Sequence, residues 1–467
     1  MSAEVFCKDK MNSSLCIWLK FLNYCFVVLA ITFGLQGCAT YSSSFGTIER
    51  DLAAQKYDAA LLSIENEAKS PKDRVLYLLN KGMVLRMKRD LAGSNVAFEA
   101  AKTEMDRLYA SSVSENALSV IVNDSTVSYS GDNYERVMLH LYMALNYLEL
   151  GKTDSARVEA LQLDAKLREF SEKSPDSKIS DDAFTLYLTG LIYEEGGEWS
   201  DAMISYRSAY NAYKKHMASD AEAVPSMLKI DLMRMAKQQG LKDESDKYKN
   251  EFGIELSNSK GVDPADGELV FILNNGLAPI KREKSLTTVD PVSGILVRIA
   301  LPYYESRNNN VVAARIIASD DRRTATELVE NIDAIAKSNL DSHMPAIIAR
   351  SVARMMVKTA SSKTAQQAAT NNNNDAAMVG LLAALTMQVA VVATERADTR
   401  SWLTLPANIQ MGRVSLSPGS YSVKVELLGA DQQIVATQDY PGIVIRKGHK
   451  TFLSGHWVSN QLSTIRR

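Results

Sequence analysis

GLIYEEGGEWSDAMISYRSA, residues 190–209, decides the reading of the fold. Small residues stand at Gly190, Ala202 and Ala209, large ones at Tyr193 and Tyr206, and Gly196-Gly197 interrupts the middle. Two antiparallel helices joined by a glycine turn need that order: the small residues allow close approach at two levels and the large ones fill the space between. The same offsets of 0, 3, 12, 16 and 19 recur at Gly82, Leu85, Ser94, Phe98 and Ala101, and again at Ala144, Tyr147, Ala156, Ala160 and Leu163. A partial copy lies at Tyr57, Ala60 and Ile64, and a weaker one spans Met227 to Tyr248 around Gly240.

This pattern resembles the tetratricopeptide repeat, with Leu186 where that family carries a large apolar residue. The resemblance implies a stack of helix pairs over 38–252 whose concave face binds extended peptides or partner helices. The family repeats every 34 residues or so. Here the copies are 62 (144 − 82) and 46 (190 − 144) residues apart. Insertions such as Tyr109 to Asn133 must therefore loop out or lengthen helices. The repeat residues themselves are expected in the core, as is the series Tyr206, Tyr210 and Tyr213.

Residues 253–267 are rich in Gly, Ser, Asn, Asp and Pro and read as a linker to a mixed domain over 268–467. Strands are expected at Glu268–Leu273, Ile295–Leu301, Val311–Ala318, Asn408–Leu416, Ser420–Leu428, Ile434–Gln438, Ile443–Arg446 and Thr451–Gly455. Between them, one helix is expected over Thr326–Ser338, and a second begins at Pro345 and runs to about Thr359. In that second helix Ile348, Val352, Met355 and Met356 make an apolar face, and Arg350, Arg354 and Lys358 a basic stripe expected to be solvated. Ala376–Thr394 carries no charge, and its length admits either a membrane span or a buried helix. Its Ala-rich composition, with Thr386 and Gln388 inside, favours the buried helix. The fold class is α+β: a tetratricopeptide-like helical repeat domain, then a β-rich mixed domain with inserted helices.

The first 37 residues have the layout of a secretory signal, with Lys8, Lys10 and Lys20 before the apolar run Phe21–Phe33. Met1 and Met11 are both candidate starts. Leu35-Gln36-Gly37-Cys38 resembles the lipobox of bacterial lipoproteins, which implies cleavage before Cys38 and acylation of its thiol. The four cysteines are Cys7, Cys16, Cys25 and Cys38, so cleavage removes three and lipid occupies the fourth. Ala39 rather than Asp implies sorting to the outer membrane, with the chain facing the periplasm.

A formal net charge of −2 supplies no field to attract nucleic acid. The five histidines, His140, His216, His343, His449 and His456, fall in no metal-binding spacing, and no nucleophile elbow or phosphate loop is present. No catalytic, cofactor-binding or metal-ligating residue is therefore assigned. Asp398 and Arg400 share a face of an extended segment, where a two-point ion pair would hold the loop around Trp402. The lipobox, the helical repeats, Asn275-Gly-Leu-Ala-Pro279, the run Ala397-Asp-Thr-Arg-Ser-Trp402 and Leu405-Pro406 together look like an uncharacterised family of bacterial lipoproteins. The function expected is a noncatalytic, lipid-anchored adaptor for a protein partner of the cell envelope, in cell-wall synthesis or outer-membrane assembly. The alternative is a carbohydrate- or peptidoglycan-binding protein or hydrolase that uses Trp402, Tyr440 and Trp457 of the mixed domain. Oligomeric state is not legible in the sequence.

Overall fold

Helices pair as the repeat requires. In the computed structural model α1 (Gly46–Ala53) pairs with α2 (Tyr57–Glu67), α3 (Arg74–Met87) with α4 (Leu91–Ser114), and α5 (Asn133–Glu149) with α6 (Thr153–Lys173). Then α7 (Ala183–Glu195) pairs with α8 (Trp199–Asp220), and α9 (Ser226–Gln238) with α10 (Lys242–Phe252). The residues described are 45–67, 70–114, 126–173, 178–220, 223–255, 265–289, 296–370 and 395–459. Leu35–Cys38, the charge-free stretch 376–394 and most of the linker, 256–264, lie outside them, as does the Lys358 side chain.

Each pair turns on one residue in the left-handed region: Gln55, Arg89, Gly151, Gly197 and Gly240. The amide after each reaches back across the turn, Lys56 to Asp51, Asp90 to Leu85, Lys152 to Tyr147, Glu198 to Tyr193 and Leu241 to Ala236, at 2.8–2.9 Å. These bonds satisfy carbonyls that the ending helix leaves open. Between the helices, a Cβ on Gly82 would stand 2.4 Å from the Phe98 ring, and one on Gly190 the same distance from the Tyr206 ring. The middle copy carries Ala160 in place of the ring and Ala144 in place of the glycine. Ser94, Ala156, Tyr193 and Ala202 are buried with them, whereas Tyr147 is only half-buried. Tyr206, Tyr210 and Tyr213 are buried too. Part of the long insertion is absorbed by α4, which runs on to Ser114.

The mixed half contains β1 (Gly267–Asn275), β2 (Ile280–Val289), β3 (Leu296–Glu305), β4 (Ala313–Ala318), β5 (Arg323–Ala325) and β6 (Glu327–Glu330). After the helix α11 (Ile332–Thr370) come β7 (Asn408–Leu416), β8 (Gly419–Leu428), β9 (Ile434–Ile445) and β10 (Lys450–Trp457). One sheet has the order β10-β1-β7-β6, a second β5-β4-β8-β9, and β2-β3 is a separate hairpin. β1 runs parallel to β10, Phe271 opposite Leu453, and antiparallel to β7, Phe271 opposite Gly412. The two four-stranded sheets face each other across a core of Leu269, Phe271, Leu273, Ile316, Leu416, Val423, Val425, Leu427 and Leu453. All nine residues of β1 are buried. Both its faces are covered, which explains a continuous rather than alternating apolar run.

Two expected boundaries are corrected. Thr326–Ser338 is not one helix: Glu327–Glu330 pairs with β7, and a single helix from Ile332 passes through Pro345 to Thr370. Pro345 and Asp341, four residues before it, are exposed, so water can satisfy the carbonyl that proline leaves unbonded. Similarly, the segments expected at Ile434–Gln438 and Ile443–Arg446 form one edge strand, β9, which ends at Ile445. It carries Pro441 and Gly442 across a register shift between Tyr421 and Val423 of its partner.

Candidate functional site

The first helix of each later pair turns its polar side chains onto the chain's own mixed half. Arg86 of α3 donates to Ser454 Oγ (2.8 Å) and to Glu149 (2.6 Å). Tyr142 of α5 donates to Asn274 Oδ1 at 2.8 Å. In α7 and α9 a chain of alternating charge crosses the boundary. Arg413 bonds Glu268 (2.6 Å) and Asp231, Arg234 bonds Asp231 (2.9 Å) and Glu194 (2.7 Å), and Lys450 bonds Glu194 (2.6 Å). Burial alone would raise the carboxyls of Glu194 and Asp231. Lys450 and Arg234 around the first, and Arg413 and Arg234 around the second, outweigh it and hold both below the usual range. Carboxylates fixed as anions in this way clamp two layers together; they are poorly suited to proton transfer. The inner face of the helices, which the repeat resemblance implies for partners, is thus covered by sheet.

The segment 395–407 completes that covering. Trp402 is fully buried, edge-on to Phe98 (5.7 Å between centroids) and Tyr142 (6.2 Å). Its backbone amide donates to Glu135 Oε1 at 2.7 Å, and Thr404 Oγ1 donates to Asn80 at 2.8 Å. Arg400 grips Asp398 with two bonds of 2.9 and 2.7 Å and also donates to Asp73 (3.1 Å) and the Val127 carbonyl (2.9 Å), so it ties the segment to the helical half. Burying Trp402 removes it from any sugar platform on the surface. Tyr440 and Trp457 pack partly buried against the sandwich core.

The second helices present a different surface. The amides of Ala60, Ser94, Ala156, Ala202 and Ser245 each bond four residues back at 2.9–3.0 Å, which marks the same place in each second helix. Two residues further on stand Leu62, Val96, Val158 and Ile204, exposed by 63, 72, 53 and 57%, and then Lys247. Four successive pairs therefore carry a large apolar side chain at one repeat position, pointing to solvent. Leu161, one turn beyond Val158, is also exposed and widens the row. Sequence periodicity missed this position because it lies outside the small–large pattern that packs each pair.

Among the described residues no group of His, Cys, Asp and Glu is placed to hold a metal. His140 bonds Glu159 (2.7 Å), His216 bonds Asp181 (2.8 Å) and His449 bonds Glu195 (2.8 Å). His456 is pushed well below its ordinary value by burial and then by Arg86 and Arg89. No described helix is long and apolar enough to cross a membrane.

No family model matches the chain, and no curated protein does. Among solved structures the chain is similar to MamA AMB-1, at 13% identity over 46% of this chain and 92% of that one, with a TM-score of 0.27. At that TM-score the likeness carries no argument about this chain.

Proposed function

We propose that the protein is a noncatalytic, lipid-anchored scaffold of the outer membrane, facing the periplasm, that holds a protein partner of the cell envelope on its second helices. The observation that carries this reading is the row Leu62, Val96, Val158 and Ile204. Large apolar side chains repeated at one position and left in water cost solvation, and a row of them suits docking of an apolar helix or strand. The anchor rests on Leu35-Gln36-Gly37-Cys38. Cell-wall synthesis and outer-membrane assembly are the envelope processes proposed for the partner. The covered inner face argues for docking on the outer surface rather than in a groove.

Photo-crosslinkers at Val96 and Val158 in intact cells should trap one protein reproducibly. The flanking changes Leu62→Glu and Ile204→Glu, made with either crosslinker in place, should abolish the crosslink without lowering the melting temperature, since neither residue is buried. Retention of the crosslink in that variant would sink the docking surface. Cys38→Ser should release the chain from the membrane fraction.

A further inference from the structure

The hairpin β2–β3 turns one face into the protein and one toward water. Its inner face is covered: Lys281 bonds Asp132 at 2.9 Å, the Tyr304 and Tyr134 hydroxyls meet at 3.2 Å, and Ala300 and Pro302 line a small cavity with Leu340 and Ile347 of α11. α11 also turns Arg354 inward, where it bonds Glu395 at 3.2 Å, and leaves Ile348 and Met356 exposed. The expected solvated basic stripe is therefore corrected at Arg354.

Residues opposite each other in the hairpin share a face, and the outer one carries Arg282, Lys284, Leu286, Ile299, Leu301 and Tyr303. Leu286 and Tyr303 are 66 and 45% exposed, and Ile299 and Leu301 are half-buried beside them. Lys284 is exposed, whereas Arg282 is engaged by Glu305 at 2.8 Å. Four large apolar side chains gathered on one face of two strands mark a contact surface, and apolar area rather than charge dominates it.

What covers this face follows from where the chain enters the fold. Two residues beyond the end of β3, Arg307 is buried over the Phe45 ring (5.4 Å) and 3.7 Å from Glu49, so α1 is joined to the root of the hairpin. Phe45 opens the described chain seven residues after Cys38 (45 − 38), which is about 25 Å of extended chain at most. Ile299 stands six residues up β3 from Glu305 (305 − 299), about 20 Å along the strand. The tether and the face are thus of matching length, and an acyl group on Cys38 keeps the face within reach of the bilayer.

We propose that the outer face of β2–β3 rests on the bilayer surface, with Leu286, Ile299 and Leu301 against acyl chains, the Tyr303 ring at the headgroups and the Lys284 ammonium reaching back to lipid phosphates. This contact rests on the lipid anchor at Cys38 proposed above. The face is too small to hold the chain by itself, but tethering raises its effective concentration at the membrane to where a weak contact suffices.

Tyr303→Trp tests it, in the full chain isolated from cell membranes and reconstituted into vesicles of phosphatidylethanolamine and phosphatidylglycerol. Brominated acyl chains should quench most of the fluorescence that the new indole adds to that of the native tryptophans. Leu286→Glu, at an exposed position that should leave the melting temperature unchanged, should remove that quenching, and Leu286→Ile should keep it. Mass spectrometry of the amino-terminal peptide reads the anchor separately. Acylated Cys38 without quenching overturns the contact and leaves the anchor standing; quenching without acylation removes the anchor and keeps the contact. A chain recovered in the soluble fraction is mixed with the same vesicles and judged by the same quenching. Blue-shifted but unquenched emission from the new indole means that a protein covers the face, which also overturns the proposal.

Discussion

Glu135 accepts from the Tyr129 hydroxyl (2.6 Å), the Asp132 amide (3.1 Å) and the Trp402 amide (2.7 Å). Burial, with the neighbouring Asp132, nevertheless raises its carboxyl from the ordinary 4.5 to about 7. Between those values the folded chain holds a proton that the unfolded chain has released, so stability falls as pH rises through the window and levels off above it. The slope is about 1.4 kcal/mol per pH unit at most. Melting temperature should therefore decline from pH 5 to pH 7.5, and Glu135→Gln should flatten that decline. An identical slope in the variant would assign the effect to another group. At this scale the sequence was partly readable. Asp398 and Arg400 stood out as a pair, but Asp73 and the Val127 carbonyl, which also receive Arg400, are too distant in sequence for any local pattern to bring forward.

Among the elements, the helix pairs were legible because their packing rule is local: a small residue faces a ring sixteen positions later. Gly82→Ala would force a Cβ into the Phe98 ring and should cost about 1–3 kcal/mol, read from denaturant midpoints. The double change with Phe98→Leu should recover part of that loss. Strict additivity of the two changes would show that the ring and the glycine do not constrain each other. The turns at Gln55 and Arg89 escaped notice because they place ordinary side chains where glycine is the usual signal, at roughly 1–2 kcal/mol each. β2 escaped for another reason. From Lys284 to Val289 it is exposed in a two-stranded hairpin, so neither face needed an apolar alternation. Conversely, β6 was read as helix because four residues carry too little periodicity to compete with the helical pattern after them.

For the molecule as a whole, the α+β class and the order of helices before strands could be read in advance, whereas the covering of one by the other could not. Composition does not say which layer a buried face meets, although the unbroken apolar run Leu269–Leu273 was a sign that β1 has two neighbours. Arg413 joins the layers. Replacing it with Met leaves the fully buried Asp231 with Arg234 as its one cationic partner among the described residues, beside the Tyr187 hydroxyl, and should cost about 3 kcal/mol or more. Helical circular dichroism and Trp402 fluorescence should report one shared unfolding transition in the native protein. Separate transitions would mean that the layers are stable independently.

The pairing of β10 with β1 also bears on how the chain is made. Ribosomes deliver β1 more than 170 residues before its parallel neighbour at Lys450–Trp457. During that interval the helical half waits with Glu149 and Arg86 lacking Ser454, and the central strand has an open edge, the kind of surface that chaperones shield and proteases find. The sheet stays open until Lys450–Trp457 has been made, so a product that stops before β10 carries the unpaired edge of β1 as the mark by which it can be removed.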